Sequence, residues 1–482
     1  MSVGVGRLRL GVRPLLWTAI SAYAAAFSAL SVLRHLAFNT GRFDLGNMTQ
    51  AVWATAHGHP LRVTDVHGEQ ISRLAAHVDP ILVGLAPLWW LWPSPELLLV
   101  VQAVGVSLGA LPVFWLARKH LASERAGLGF ALAYLLYPPV QWLTLNEFHP
   151  VALACPLLLY AFWYLDEDRL WAFAGFAALA ALTKEQIPLV VAGFGLWYAL
   201  ARGRRAAGGA IALAGVATSA VAVGIVIPHF NDGSSDFYGR YEQVGGSPGG
   251  ILRTAFTHPW TLLEAAFDGA GVRYLVDLVA PLALLSLLAP VVALAAAPEL
   301  ALNLLSKTPT QTSIHFHYTA GAIPPLVAAA VLGAARLLRR RPSAAAPLAV
   351  IALVVSLGAN FRLGAIPLWS ELPWGERLGS RDTRVTEHDR IAARALALVP
   401  GGVAVSASNS LGAHVSERRR VLNFPVLAEA RWVIVDETRP SFADRNAPLP
   451  ANRRLAELRR SPEWRLRFQQ DGIVVLQRNG LR

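Results

Sequence analysis

Apolar stretches long enough to cross a bilayer recur along the first part of the chain, separated by short polar turns. The clearest run over 97–116 and 206–227, each close to the roughly 20 residues that span about 30 Å of hydrocarbon. Such stretches must be helical in lipid, because only a helix satisfies its own backbone groups there. The pattern predicts about eleven spans, near 15–36, 96–117, 126–143, 150–165, 170–183, 187–201, 207–227, 274–289, 290–305, 319–337 and 344–364.

The pattern changes after about residue 380, where short β-branched segments replace the long apolar ones. Candidate strands at 403–406, 432–435 and 473–476 alternate with helix-like segments at 390–398 and 453–460. This alternation predicts a small α/β domain over 380–482, following a transmembrane domain over 1–370. The segment contains no glycine-rich phosphate loop. It could recognise or cover a ligand, or it could be a structural cap.

Composition and charge agree with a membrane protein. Charged residues make up only 15% of the chain, against about 25% in soluble proteins, and the net charge is +12. The basic residues cluster between spans, which is the pattern of cytoplasmic loops and argues against a nucleic-acid partner. It predicts a multi-pass protein of the cell membrane, with a cytoplasmic N-terminus and an extracytoplasmic C-terminal domain. The clusters are Arg7, Arg9 and Arg13; Arg118, Lys119 and Arg125; Arg202, Arg204 and Arg205; and Arg336, Arg339, Arg340 and Arg341.

Two smaller features limit the chemistry of the chain. The first apolar run, 15–36, is long for a signal peptide and reads as a retained anchor. Cys155 is the single cysteine, so neither an internal disulfide nor a site of several thiolates can form. We expect Cys155 to be an inert packing residue.

Ionisable and imidazole side chains gather at the predicted outer ends of the spans. Such groups are expensive near a membrane and usually mark a functional site. Separate loops would deliver them to one face of the bilayer, which predicts a site there. The residues are Asp44 and Gln50; His77 and Asp79; Glu147 and His149; Lys184 and Glu185; and His315, His317 and Tyr318.

These residue types suit two kinds of chemistry. A carboxylate can act as a general base when burial adjusts its pKa. Imidazoles and carboxylates can hold a divalent cation such as Mg²⁺ or Mn²⁺, and His77, Asp79, His315 and His317 are the candidate ligands. Lys184 can bind a phosphate oxygen as a point charge. The chain carries no nucleotide-binding loop, so we expect no nucleotide cofactor.

Each residue also has a plain structural reading. Asp44 could cap the helix that follows it, and Lys184 and Glu185 could form a solvated turn. His315 and His317 could lie in the headgroup layer without a ligand. The acidic turn at 166–168 falls on the predicted cytoplasmic side, and we expect it to be solvated and without function.

Four short runs resemble an uncharacterised family of predicted membrane proteins. That family is distantly similar to the GT-C glycosyltransferases, which use polyprenyl-phosphate sugars. The resemblance covers most of 38–320 and, more loosely, the C-terminal domain. The runs are Phe43–Trp53 (FDLGNMTQAVW), His77–Pro80 (HVDP), Glu147–Pro150 (EFHP) and Lys184–Glu185.

The resemblance implies a GT-C-like bundle that transfers a sugar from a lipid-phosphate donor to an extracytoplasmic acceptor. Asp44 stands where those enzymes carry, just after the first span, an acidic residue that serves as catalytic base or metal partner. Leu45 follows it, so the paired acidic motif of mannosyltransferases is absent, and Glu147 replaces the aspartate usual in the family. The implied roles are catalysis for Asp44 and Glu147. Donor or phosphate binding is implied for Gln50, His149, Lys184, Glu185 and Tyr318.

Two other classes of function remain open. Charges in membrane segments also mark the pathways of transporters and lipid flippases. A transporter usually shows an internal repeat with interrupted helices near the midplane, and neither pattern is clear here. A sensor or assembly protein without catalysis, acting through its outer domain, is the third reading.

Overall fold

The computed structural model describes residues 11–231, 236–376, 382–446 and 450–480. Arg7 and Arg9 of the first basic cluster lie outside the described residues, as does part of the boundary predicted near 370–380. Helices dominate the described chain up to residue 363. They are Val12–Leu36, Asn47–Ala56, Ala86–Trp89, Pro95–Leu108, Ala110–Leu121, Glu124–Leu136, Pro138–Leu145, Ala154–Asp166, Leu170–Ala181, Ile187–Ala201, Arg205–Val221, Ile227–Asn231, Pro248–Thr257, Pro259–Ala266, Gly269–Val279, Pro290–Ala293, Ala297–Leu304, Ile323–Leu337 and Ala345–Leu363.

Among the described residues, four helical stretches are long and apolar enough to cross a membrane. A fifth counts if the bent pair Glu124–Leu136 and Pro138–Leu145 is one span, with an angle of 48° between its halves. The bend falls at Tyr137, which precedes proline and has extended backbone angles. Shorter apolar helices lie at most of the other predicted spans, so the count of eleven stays a prediction. The four stretches are Val12–Leu36, Pro95–Leu121, Arg205–Asn231 and Pro342–Leu363.

The span predicted at 274–289 is not one continuous helix. The helix ends at Val279, and two short 3₁₀ turns follow it. Pro281 has no backbone N–H to continue the ladder, and Ala283 and Leu284 take left-handed angles, with φ of 53° and 57°. The apolar pattern reports burial in lipid, and it does not reveal such a break.

An acidic residue ties the basic clusters together at one end of the bundle. Asp166 accepts bonds from Lys119 Nζ at 2.7 Å, His120 Nε2 at 2.8 Å and Arg202 Nη1 at 2.9 Å. Its side chain is only 1% exposed. The expectation of a solvated turn is therefore wrong for Asp166, because a lysine, a histidine and an arginine side chain enclose it.

The loop after the first helix carries a short β-hairpin. Strand β1, Arg62–Thr64, pairs antiparallel with β2, Gln70–Ser72. Ahead of the hairpin, a π-helical turn over Arg42–Gly46 leads directly into the helix Asn47–Ala56. The helix that follows Asp44 therefore begins at Asn47, and the residue before it is Gly46.

A five-stranded sheet forms near the C-terminus, in the order β4-β3-β5-β7-β6. Strand β3 is parallel to β4 and β5, whereas β7 is antiparallel to β5 and β6. The strands and helices expected from the sequence here are confirmed to within a few residues. The strands are β3 Val405–Ala407, β4 Val421–Asn423, β5 Trp432–Asp436, β6 Trp464–Gln470 and β7 Ile473–Arg478; the helices are Glu387–Leu396, Asn409–Gly412, Phe442–Arg445 and Ala451–Arg460.

Side chains on the two faces of this sheet enter separate apolar clusters. Along β5, Trp432 and Ile434 pack with Ile391 of one helix. Val433 and Val435 pack on the opposite face, against the helix Ala451–Arg460. This alternation is the two-residue period of a strand buried on both faces.

The C-terminal sheet docks onto the first loop through buried polar bonds. Arg42, which is fully buried, donates to the carbonyls of Thr64 and Val421. Gln50 Nε2 donates to the carbonyls of Arg418 at 3.1 Å and Arg419 at 3.0 Å. These contacts fix the sheet directly beside the turn that carries Asp44.

Candidate functional site

Two loops build the turn that presents Asp44. Glu147, from the loop after Pro138–Leu145, accepts hydrogen bonds at Oε2 from the backbone N–H groups of Gly41 and Leu45, at 2.9 and 3.0 Å. Asp44 lies between these two positions and projects from the π-helical turn. Glu147 therefore holds the turn in the shape that exposes the Asp44 carboxylate.

Asp44 faces a histidine with a fixed tautomer. His149 donates through Nδ1 to the carbonyl of Asn146 at 2.8 Å, so its Nε2 points to Asp44 Oδ1 at 3.3 Å. Because Nδ1 already carries hydrogen, this contact is a hydrogen bond only when a further proton lies on Nε2 or on the carboxyl. The Asp44 side chain is 49% exposed and that of His149 only 6%. The pair therefore opens to solvent on the Asp44 side.

The two neighbouring carboxyl groups prefer opposite protonation states. Burial raises the pKa of Asp44, but His149, Arg73 and Lys184 outweigh it and hold that pKa below its usual value. Burial and the charge of Asp44 raise the pKa of Glu147 to about 8. Asp44 is thus ionised at neutral pH while Glu147 keeps its proton. Enzymes commonly use two carboxyl groups whose pKa values differ in this way as a catalytic acid and a catalytic base.

A second histidine stacks on the first. The rings of His149 and His317 lie 3.6 Å apart at an angle of 20°. His317 donates to the side-chain oxygen of Asn146 through its backbone N–H, at 3.0 Å, and through Nδ1, at 3.1 Å. Burial, with a further contribution from the neighbouring His149 and Lys184, holds the pKa of His317 well below its usual value. The ring is therefore neutral and presents Nε2 as an acceptor.

The ammonium group of Lys184 adds a positive charge to the cluster. Its ammonium group lies 5.7 Å from the ring centroid of Tyr318, and it forms no hydrogen bond or ion pair with any residue that the structure describes. The adjacent Glu185 turns away, accepting from His77 Nδ1 and the backbone N–H of Val78, each at 3.0 Å. Burial raises the pKa of Glu185, but His77 and Lys184 lower it to about 2. Lys184 is thus free to bind an anion.

Three of the predicted site residues are engaged elsewhere. Asp79 Oδ2 accepts two bonds from Arg73, at 3.0 and 2.9 Å, and both side chains are buried. His315 bonds Ser313 and packs on Trp142 instead of joining His317. The amide of Gln50 is fully used by Thr64 and the C-terminal sheet region.

The four candidate metal ligands do not meet. His77 bonds Glu185, Asp79 bonds Arg73, and His315 and His317 face different neighbours. Across the described ranges, no three histidine, cysteine, aspartate or glutamate side chains come close enough to hold an ion. Dependence on a metal stays a prediction, to be tested by chelation.

Two further residues of the cluster, Asn146 and Arg73, were not predicted from the sequence. Asn146 orients both histidines, through its carbonyl and its amide oxygen. Arg73 lowers the pKa of Asp44 while its hydrogen bonds go to Asp79 and Asn47. The only signal for Asn146 was its place before Glu147, and an arginine in a long polar loop gives no signal of its partner.

The comparisons with known proteins show the family. The family described as "Predicted membrane protein (DUF2079)" matches residues 34–475. No curated protein matches the chain. One solved structure with a likeness is that of the GT-C glycosyltransferase ArnT from Cupriavidus metallidurans in the apo state, with a TM-score of 0.44 and 16% sequence identity over 95% of this chain and 98% of that one. Since the match runs through both the bundle and the C-terminal sheet, the chain belongs to the DUF2079 family of predicted membrane proteins.

Proposed function

We propose that the protein is a membrane glycosyltransferase, which moves a sugar from a polyprenyl-phosphate donor to an acceptor hydroxyl outside the cell membrane. The observation that carries the proposal is the Asp44 cluster. It combines a half-exposed, ionised carboxylate with a histidine pair and with a lysine that pairs with none of the described residues. A base and a phosphate site are the two functions that such a transfer needs.

The cluster suggests one balanced reaction step. Asp44 takes the proton of the acceptor hydroxyl, and that oxygen attacks the anomeric carbon of the donor sugar. The bond from this carbon to the phosphate oxygen breaks, and its electron pair leaves with the lipid phosphate. Lys184 stabilises the added negative charge, because a compact ammonium group binds phosphate well. No part of this step uses a metal or a nucleotide.

The remaining residues position these two groups. Asn146 orients His149, which holds the Asp44 carboxylate, and His317 offers an uncharged acceptor beside them. Glu185 anchors the turn of Lys184 to His77. Tyr318 lies beneath the ammonium group, where its ring stabilises the cation when the phosphate is absent.

The substitution Asp44→Asn tests the proposal. The amide keeps the size of the side chain but cannot accept the proton, so we expect transfer from labelled polyprenyl-phosphate sugars to be abolished. Expression and membrane insertion should not change, because Asp44 is half exposed and makes one side-chain contact. The substitution Glu69→Gln, at an exposed position of the same loop, is the control.

The assay should score transfer and translocation separately, in vesicles of purified protein. Undiminished transfer by the Asp44→Asn variant would remove Asp44 from the mechanism. Movement of the lipid sugar across the bilayer without transfer to any acceptor would instead support the flippase reading.

A further inference from the structure

A cavity of about 350 Å³ lies between the chain that follows the first helix and the C-terminal sheet. Its wall on the membrane side is formed by residues 37–41 and by Glu147. The opposite wall comes from the residues that follow β3 and from Asp436 at the end of β5. Ligands of sheets with parallel strands usually bind outside the carboxyl ends of those strands. The cavity has this position relative to β3 and β5, and its size is typical of a small-molecule site.

The charges in the wall are already paired within the protein. His388 bonds Asp436 through Nε2 at 2.9 Å and Asp471 through Nδ1 at 2.7 Å. Arg439 bonds Asp389 at 2.9 Å. Since Arg439 has a carboxylate partner and His388 has two, the wall has no unpaired cation that would select an anion.

Uncharged groups in the wall keep unused hydrogen-bonding capacity. Among the described residues, no partner contacts Asn409 Nδ2, the Ser410 hydroxyl or Glu147 Oε1, whereas Asn409 Oδ1 and Glu147 Oε2 are both engaged. Apolar surface from Phe38 and Pro440 lies beside them. Neutral donors and acceptors next to apolar patches suit a ligand with many hydroxyl groups and with C–H faces.

We propose that this cavity binds a neutral carbohydrate. Glu147 connects the cavity to the Asp44 cluster, because it is part of the cavity wall and also holds the Asp44 turn through Oε2. The bound sugar would present its hydroxyl as the acceptor of the transfer, a role that rests on the proposed function. The binding itself does not depend on that function.

Cysteine protection tests the binding directly. Ser410→Cys places a thiol in the wall, and the native Cys155 is buried and should stay silent. The rate of maleimide labelling of the full-length protein is measured with and without millimolar maltose, cellobiose, lactose or mannobiose, in the absence of any donor. We expect at least one disaccharide to slow the reaction severalfold. Arg465→Cys, exposed on β6, is the control and should react at the same rate throughout.

Each alternative result has a defined meaning. Lack of protection by every disaccharide overturns the proposal, as does equal slowing at both cysteines. Protection by inorganic phosphate alone would also overturn it, since the cavity would then be an anion site. Protection in a protein that shows no transfer would keep the carbohydrate site and remove the proposed function. Transfer of a sugar without any protection of the cysteine would keep the proposed function and remove the carbohydrate site.

Discussion

At the scale of residues, the opposite protonation of Asp44 and Glu147 determines the expected pH dependence. Glu147, with a pKa raised to about 8, is neutral below that pH and gains a negative charge above it. A second charge beside Asp44 would repel both the phosphate and the Asp44 carboxylate. Transfer by the wild type should therefore fall as the pH rises above about 8.

The pair Glu147→Gln and Glu147→Ala separates charge from structure. Glutamine cannot ionise, and its oxygen can still accept from Gly41 and Leu45, so the loss at alkaline pH should disappear. Alanine removes that acceptor, leaves two N–H groups unpaired and should lower both activity and thermal stability. The measurement is the rate of sugar transfer by the wild type and both variants between pH 6 and 10. An identical alkaline loss in the wild type and the glutamine variant would contradict it.

Lys184 should affect donor binding more than chemistry at saturation. Lys184→Gln removes one charge-assisted contact to phosphate, which contributes about 1.5–3 kcal/mol. We expect the KM for the lipid donor to rise roughly tenfold or more. Lys307→Gln removes an exposed lysine that pairs with Glu242 and should leave the KM unchanged. An unaltered KM for the Lys184 variant would exclude it from the phosphate site.

The polarity of the sequence predicts the face of the bundle on which a residue lies, but it does not predict the hydrogen-bond partner of that residue. Asp44 contacts His149, His317 stacks on His149, and Lys184 helps to lower the pKa of Asp44; a functional role for these residues stays a prediction. Gln50 was also polar and also on that face, yet its bonds go to the C-terminal sheet region. A pattern of polarity gives the face of a residue, whereas its partner depends on packing between distant parts of the chain.

At the scale of elements, the buried guanidinium of Arg42 joins the first loop to the edge of the sheet. It donates to the carbonyls of Thr64 in β1 and Val421 in β4, and the Val421 N–H donates to the Thr64 hydroxyl at 3.3 Å. Strand β4 is an edge strand of the sheet. The loop thus satisfies polar groups that an uncovered edge would offer to another chain.

Arg42→Met should therefore destabilise the docking of the sheet. A hydrogen bond from a charged group contributes about 1.5–3 kcal/mol, and the two carbonyls would remain buried without a donor. Thermal unfolding in detergent should show a clear decrease for this variant. Arg62→Met, at an exposed position of β1, should unfold near the wild-type temperature. Equal stability of the two variants would show that the contact is dispensable.

At the scale of the whole molecule, Asp166 with its basic partners and the Asp44 cluster lie at opposite ends of one helix. Lys119 and Arg202, from two of the basic clusters, bond Asp166 at the end of the helix Ala154–Asp166, whereas His149 of the Asp44 cluster precedes the start of that helix. Arginine-rich loops usually stay in the cytoplasm. The arrangement therefore supports the orientation proposed from the sequence, in which the site faces outward.

Two single cysteines test this orientation. Ser343→Cys lies in the arginine-rich loop and Arg465→Cys on the C-terminal sheet, and both positions are exposed. In intact cells, a maleimide that cannot cross membranes should label Arg465→Cys and spare Ser343→Cys until the cells are opened. Labelling in the reverse order would invert the topology.

The contact of Arg42 with Val421 also means that the first loop can be completed only late in synthesis. The two residues are separated by 379 positions, so the first loop leaves the ribosome long before the strand that completes it. During that interval Arg42 and Gln50 must remain hydrated, because their final acceptors do not yet exist. Assembly of the site therefore waits until the last part of the chain has been synthesised. A nascent protein arrested before β4 would be inserted in the membrane but incomplete beside Asp44.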